Sequence, residues 1–565
     1  MSTEDNPQKL RQNLQGWMIF FIVISAVIGG GVFNNGGPSM EVAGPTGALV
    51  GLFIMGVIAI CAAEGLSELT QLFPAPNAIV EYVRAFVDED LAWVIGIAYW
   101  FTYSSMFASQ NLVAANLAVY WGLEQVWQIV LFYFLTPGVL VAINLVGVGT
   151  FGWIEAIGGA LKIMLVVGST IVLYVIAAQH GSWSGEGPIQ DGFQYNKKST
   201  TNKYRALAYV IPMIAFGFLG IEAVAVTAFE ARTSRSLRLP SQSIAYVVIL
   251  LYFLCLLGQC LNVRWDNDHL PLIYSGIGNG ATDTTGLENP TSSNLTIIAL
   301  WLRGQKGLAG FLNGAMIFSV ISSANTSLYI ASRTLYGIAR DVPPTNRLGK
   351  FLHSFSVLVP KTGVPARALI FSAVAFSWLP FLSLRGTYAV QYVIEIFQIS
   401  ASVSCLIVWA SISLAYVRYY IWLKRCEQNL VDKYEKFNRS DGLYPFTVLA
   451  FLQPLPAIAA ITGCVIVLAF CSATWWDKDI TFAKVAIGYA SPIILFMLFV
   501  IFKLINRRMW VRTSDDFAVL SQTLDRLKWY KTDELDQDQT QREEEMRVLS
   551  PPQVSRQDLG ETVQT

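Results

Sequence analysis

Apolar runs of about twenty residues recur along this 565-residue chain, and no other feature restricts its fold as much. A helix of that length crosses a hydrocarbon layer roughly 30 Å thick. The runs place spans near 17–37, 46–72, 91–119, 126–146, 153–177, 206–228, 242–263, 307–338, 366–383, 388–417, 446–471 and 482–504. Twelve spans put both termini on one side. With 54% hydrophobic residues, and 39 basic against 39 acidic side chains, the chain reads as an all-α polytopic membrane protein. The charge balance excludes nucleic-acid binding through a basic surface.

Two of the runs are interrupted. In GWMIFFIVISAVIGGGVFNNGG, an unbroken apolar stretch stops at Gly29, Gly30 and Gly31 and then resumes. Each glycine costs a helix about 1 kcal/mol relative to alanine. Irregular backbone at membrane depth is tolerated only where protein or a cavity satisfies its polar groups. The sixth run breaks in the same way at Phe216-Gly217-Phe218-Leu219-Gly220-Ile221-Glu222. A half-helix N-terminus suits an anion and freed carbonyls suit a cation, so such a pair of breaks suits a zwitterion. For either break alone, close helix packing on small residues is an equal reading; breaks in two spans favour a ligand site.

Lysine and arginine set the orientation. The loops after spans six (Arg232, Arg235, Arg238), eight (Arg340, Arg347, Lys350, Lys361) and ten (Arg418, Lys424, Arg425, Lys433, Lys436, Arg439) are basic and are placed in the cytoplasm. The long polar loop from Arg264 to Lys306 is placed outside, where Asn294-Leu295-Thr296 forms a glycan acceptor pattern; Asn438-Arg439-Ser440 falls on the cytoplasmic side. No cleavable signal peptide is expected, and the first span serves as the insertion signal. Seven cysteines sit mostly inside apolar runs without metal-ligand or disulfide spacing and read as packing residues; no cofactor or metal is expected. After Pro74 and Pro76, the segment AIVEYVRAFVDED has Ile79, Val83, Phe86 and Val87 at helical spacing. It is read as an amphipathic helix on the inner membrane surface, the alternative being a solvated loop. In the tail, Ser514 precedes a helical pattern of Phe517, Leu520, Leu524 and Leu527, followed by a polar stretch that is either a docking place for cytosolic regulators or solubilising chain.

Ionisable residues at membrane depth are costly and mark function. At 1.5 Å per residue, Lys162 lies about 16 Å into span five, near the midplane. Two roles fit it: a coupling group that binds and releases a proton, or a fixed cation on carbonyls of the broken first helix. Glu222 follows the second break and either pins that turn or meets a substrate ammonium. Glu155 shares a face with Lys162 at about 10 Å, too far for a direct ion pair. Glu64, Glu68 and Arg333 lie near span ends as inner-gate candidates, and Glu395 has no evident partner. His180, His269 and His353 fall at span ends or in loops, which argues against a buried histidine relay.

These stretches resemble a known family. SAVIGGGVFNNGG resembles the first-helix motif of the amino acid, polyamine and organocation transporters, and GLSELTQLFPAPNAIVEYVRAFVDEDLAWVIGIAYWFTY its second-to-third helix region. FGWIEAIGGALKIM, FGFLGIEAVAVTAFEARTSRSLRLPS and SSANTSLYIASRTLYGIARD are similar to its helices five, six and eight. The likeness runs from about Gly16 to Phe502 and is strongest to fungal amino acid permeases of the yeast type. It implies a leucine-transporter type of fold: a tail at 1–15, two inverted five-helix repeats at 16–178 and 206–424, two further helices within 443–506, and a cytoplasmic tail at 507–565. It implies an amino acid as substrate, protons as co-ion and residence in the plasma membrane. Carried over by position, Gly29, Gly30 and Gly31 offer amides to the substrate carboxylate. Phe216, Gly217 and Phe218 offer carbonyls to its ammonium beside Gly220, and Phe218 also borders the side-chain pocket. Tyr99, Trp100 and Asn325 are second-line contacts, and Lys162 occupies space that sodium fills in relatives of this fold. Many permeases have threonine where Gly30 stands and polar residues where Gly217, Leu219 and Ile221 stand. Those absences point to apolar or aromatic amino acids.

A secondary transporter is the main reading. A nutrient receptor without sustained transport would carry a longer N-terminal extension than the 15 residues here, and a cation–chloride cotransporter would carry large cytoplasmic domains. No zinc motif, serine elbow or phosphate loop supports an intramembrane enzyme.

Overall fold

The computed structural model describes residues 14–179, 193–197, 200–265, 294–385, 387–426, 439, 444–472, 482–507 and 517–527. It comprises a unit through Asp515 and a second from Asp516, in which residues 517–527 are helical.

Span one is split into α1 (Gly16–Val27) and α2 (Gly30–Asn34). Next come α3 (Gly36–Leu72), α4 (Ala78–Phe86), α5 (Glu89–Ala118), α6 (Gln125–Val146) and α7 (Val148–Gln179). Span six is α8 (Lys203–Ala215), a 3-10 turn at Phe216–Phe218, and α9 (Ala223–Thr227). There follow α10 (Arg238–Asn262), a short α11 (Leu295–Leu302), α12 (Lys306–Arg340) and α13 (Arg347–His353). The chain continues through α14 (Ala366–Ala375), α15 (Thr387–Arg425), α16 (Leu455–Ala469) and α17 (Phe482–Asn506). Among the described residues, nine helical stretches are long and apolar enough to cross a membrane, and shorter apolar ones lie at Gly16–Val27, Ala366–Leu382 and Leu455–Ala469.

Local sequence explains several boundaries. Gly44, at φ 69°, kinks α3 just before Pro45, so the straight part of that helix starts where the second span was expected. Asp88 caps α5 by accepting from the amides of Asp90 and Leu91, both at 2.9 Å. Span eleven becomes α-helical only at Leu455, nine residues after its expected start at 446, because Pro454 fixes the chain there.

The solvent implied by the surface is lipid. Along α7, Trp153, Ile154, Ile157, Leu161, Met164, Ile171 and Val175 are exposed while Glu155, Lys162 and Ser169 are buried. That is the reverse of a water-soluble helix and is what hydrocarbon selects.

Spans pack in matched pairs. α5 lies along α12, and α3 along α10. The contact of α5 with α15 is matched by α12 with α7, and α3 with α8 by α10 with α1. Exchanging the first five spans for the next five maps the α5–α15 contact onto α12–α7 and the α3–α8 contact onto α10–α1.

Two expectations change. α4 is a helix, but Ile79, Glu81, Tyr82 and Phe86 are all buried, and it packs against α5 and α15 rather than lying on the membrane surface. Its apolar face meets protein because Phe73, Phe86 and Tyr419 form one ring cluster there. Asn294 is wholly buried and caps α11, its Oδ1 accepting from Thr296 N at 2.8 Å, so it presents no acceptor for a glycan. Of the histidines, His353 is half-buried with Nδ1 3.1 Å from the Val342 carbonyl oxygen. His180, His269, Asn438 and the side chain of Glu395 lie outside the described residues.

Candidate functional site

Unwinding span one frees the last carbonyls of α1, which an intact helix would have paired. Four consecutive ones are met by side chains of other helices. Ser25 O accepts from Lys162 Nζ at 2.7 Å, Ala26 O from Ser323 Oγ at 3.1 Å, Val27 O from Tyr252 Oη at 2.9 Å, and Ile28 O from Ser319 Oγ at 3.3 Å. On the other side of the break, the amide of Gly30 donates to Gln110 Oε1 at 3.2 Å. The second break is pinned from within. Glu222, 1% exposed, accepts from its own turn at Gly220 N (3.2 Å), from Trp409 Nε1 (3.1 Å) and from Tyr103 Oη, with Cys405 Sγ at 3.7 Å. Asn35 Nδ2 donates to Met213 O at 2.7 Å, tying the chain after α2 to the end of α8.

The two breaks meet backbone to backbone. A Cβ on Gly31 would lie 2.5 Å from Gly217 Cα, and one on Gly220, at φ 114°, 3.0 Å from the Val27 amide nitrogen. Glycine is required at these positions for close approach and, at Gly220, for conformation as well. Gly29 and Gly30 are equally tight: a Cβ would come within 2.5 Å of Ser323 Oγ and 2.6 Å of Gln110 Oε1, respectively. The breaks therefore touch each other rather than facing across an open pocket, because side-chain donors have already filled the space around the freed groups. A small crevice walled by Ala62, Leu66, Ile221, Trp409 and Ile412 reaches Glu222 from the α3 and α15 side. None of its walls comes from Gly29–Gly31 or Phe218.

Lys162 and Glu155 are both fully buried and do not pair directly. Ser25 stands between them: its Oγ accepts from Lys162 Nζ at 2.9 Å and donates to Glu155 Oε2. Glu155 also accepts from Thr326 Oγ1 (2.9 Å), Ser322 Oγ (3.1 Å) and Asn325 Nδ2 (2.6 Å), and Asn325 Oδ1 accepts from Asn144 Nδ2 at 2.6 Å. Asn325 is thus committed to the Glu155 network. Tyr99 is buried with its ring 4.8 Å from that of Tyr103, next to Glu222. Trp100 points the other way, stacked on Phe371 and donating to Ser372 Oγ at 2.9 Å, so it is not brought to the junction.

Buried charges close one end of the bundle. Arg333 Nε lies 3.2 Å from Glu230 Oε1, and Tyr329 Oη donates to Glu230 Oε2 at 2.5 Å. Leu14 joins the same place through its amide, which donates to the Glu230 carbonyl at 2.9 Å. Glu68, wholly buried, pairs with Arg439 at 2.5 Å and accepts from Tyr416 and Tyr444, while Glu64 accepts from Tyr246.

Sequence reasoning missed Gln110, Tyr103, Tyr252, Ser319 and Ser323. A signal existed for some of them. Ser319, Ser322, Ser323 and Thr326 put hydroxyls three and four residues apart on one face of an otherwise apolar span, and Tyr103 follows Tyr99 by one turn. Gln110 and Tyr252 carried no such pattern.

An all-helical membrane bundle with matched packing, two interrupted helices in contact and a buried polar network around them defines a secondary transporter. Residues 18–514 match the amino acid permease family, and the chain belongs to that family of amino acid transporters, which are not enzymes. It is similar to a probable lysine/arginine permease of Candida albicans (26% identical, covering 83% of this chain and 77% of that one). It is also similar to the dicarboxylic amino acid permease of Saccharomyces cerevisiae (26% identical, covering 76% and 68%). Among solved structures, the Eremococcus coleocola manganese transporter in complex with an aromatic bis-isothiourea substituted compound has the same fold, with a TM-score of 0.53 at 12% identity over 94% of this chain and all of that one.

Proposed function

We propose that this permease carries amino acids with apolar or aromatic side chains through the junction of the two breaks, in symport with protons. The observation that supports the substrate class is the chemistry of the second break. Phe216, Phe218, Leu219 and Ile221 are all buried and bring no polar side-chain atom, and Gly217 and Gly31 bring no side chain at all. Selecting a polar side chain takes a buried polar partner, and the polar groups nearest the second break, Tyr252 and Glu222, are already paired with the Val27 carbonyl and the Gly220 amide. The substrate carboxylate is assigned to the amides of Gly29, Gly30 and Gly31, with Gln110 giving way at Gly30. The ammonium is assigned to the carbonyls of Phe216, Gly217 and Phe218. Relatives of nearly equal similarity are named for lysine and arginine or for dicarboxylic amino acids, so similarity alone does not select a substrate.

For coupling, Lys162 holds a cationic group against the Ser25 carbonyl where a metal ion would need oxygen ligands, which favours protons over sodium. Alternating access then requires the Glu230–Arg333 contact to open and the breaks to part. The basic loops favour cytoplasmic termini, and residence in the plasma membrane rests on the family likeness alone.

Uptake of labelled leucine or phenylalanine in an amino-acid auxotroph tests this reading. The expected result is competition by unlabelled apolar amino acids and not by lysine or glutamate, collapse with a protonophore, and no response to sodium. Strong inhibition by a charged amino acid overturns the substrate class, and sodium-stimulated uptake overturns the co-ion.

A further inference from the structure

Tyr252 of α10 is 2% exposed and touches both interrupted helices. Its hydroxyl donates to the Val27 carbonyl at the end of α1, at 2.9 Å. Its ring packs on Phe218 of the second break, with centroids 5.5 Å apart and planes at 60°. The other three capped carbonyls of α1 are held from α7 and α12, by Lys162, Ser323 and Ser319, and Val27 is held from α10. That helix is firmly seated: a Cβ on Gly258 would lie 3.2 Å from Leu173 Cβ of α7. On its other side, the Val27 amide faces Gly220 of the second break. Val27 therefore sits between Gly220 and Tyr252, and the Phe218 ring packs against a helix outside both breaks.

We infer that Tyr252 is a positioning residue that sets side-chain selectivity, its ring fixing Phe218 and its hydroxyl fixing the α1 terminus. This rests on the reading of the junction as the amino acid site. The two parts of the side chain have separable consequences. Phenylalanine at 252 keeps the ring contact and leaves the Val27 carbonyl without its donor, which loosens the α1 terminus for every substrate alike. Leucine at 252 removes the ring that backs Phe218 and lets Phe218 turn into the space vacated, which enlarges the room for a substrate side chain.

The test measures KM and maximal uptake for valine, leucine, phenylalanine and tryptophan in wild type, Tyr252→Phe, Tyr252→Leu and Phe218→Leu, each normalised to protein at the cell surface. Tyr252→Phe is expected to raise KM about three- to tenfold for all four without changing their order, the loss of one hydrogen bond. Tyr252→Leu is expected to raise the tryptophan-to-valine ratio of uptake efficiency about fivefold or more, as one repacked contact does. An unchanged ratio in Tyr252→Leu, or an equal loss for all four amino acids, overturns the inference and leaves a plain strut. Phe218→Leu separates the two readings. If it shifts the ratio and Tyr252→Leu does not, only the role of Tyr252 falls; if neither shifts it, the junction is not the amino acid site. Should Tyr252→Leu fail to reach the surface, thermal stabilisation of detergent-purified Tyr252→Leu by tryptophan against valine reads the same ratio, with the same outcomes.

Discussion

Lys162 directs its Nζ at two atoms of one residue, 2.7 Å from the carbonyl oxygen and 2.9 Å from the hydroxyl of Ser25. Lys162→Ala leaves that carbonyl buried without a donor, at about 1–3 kcal/mol. It also removes the group assigned to proton coupling. The expected result is a lower melting temperature together with residual uptake that no longer responds to an inward pH gradient; unaltered pH dependence in a folded variant would remove Lys162 from coupling. Glu222 is dressed by donors from α5, from α15 and from its own turn, all pointing at its two oxygens. Glu222→Gln keeps one acceptor oxygen and turns amide hydrogens toward those donors. A stability loss of roughly 2–4 kcal/mol is expected from the buried mismatch, measured as a lower melting temperature, with uptake falling at least tenfold.

At the scale of elements, the contact of the two breaks is the tightest constraint. Gly31→Ala brings a methyl 2.5 Å from Gly217 Cα, and backbone there cannot swing aside as a side chain can. It should abolish uptake while the protein still inserts. Gly138→Ala in α6, with nothing within 4 Å, should leave uptake unchanged and gain up to about 1 kcal/mol from helix propensity. If Gly31→Ala transports normally, the breaks do not need their close approach. Asn294, spent as the α11 cap, should carry no glycan, so glycosidase treatment should not change the mobility of the protein through that site.

Over the whole molecule, lipid-facing surfaces are apolar while the charges of Glu230, Arg333 and Glu68 are buried against partners, so breaking one such pair is costly. Arg333→Gln leaves Glu230 buried without its cation. The expected loss is about 3–5 kcal/mol, seen as a sharply lower melting temperature in detergent. If the pair also has to open during transport, a charge-restoring Arg333→Lys should recover stability and uptake together. Recovery of stability without uptake would show that transport needs the arginine itself and not only a cation opposite Glu230.

Much of this architecture could be read along the chain because the rule behind it is local. Lipid offers no hydrogen bonds, so apolar length marks where helices cross, and glycines such as Gly29 and Gly217 mark where they cannot continue. What met the freed groups was not legible. Lys162 reaches Ser25 across 137 positions, and Tyr252 reaches Val27 across 225. The same long-range packing turned α4 inward and spent Asn294 on a cap, although its spacing pattern and acceptor triplet each suggested a surface. Sequence by itself determined the spans, their interruptions and the presence of charge at depth, since each follows from what a short segment can do in hydrocarbon. Tertiary structure decided which donors satisfy the breaks and that the breaks touch, since a hydrogen-bond partner on another helix is chosen by how the whole bundle packs.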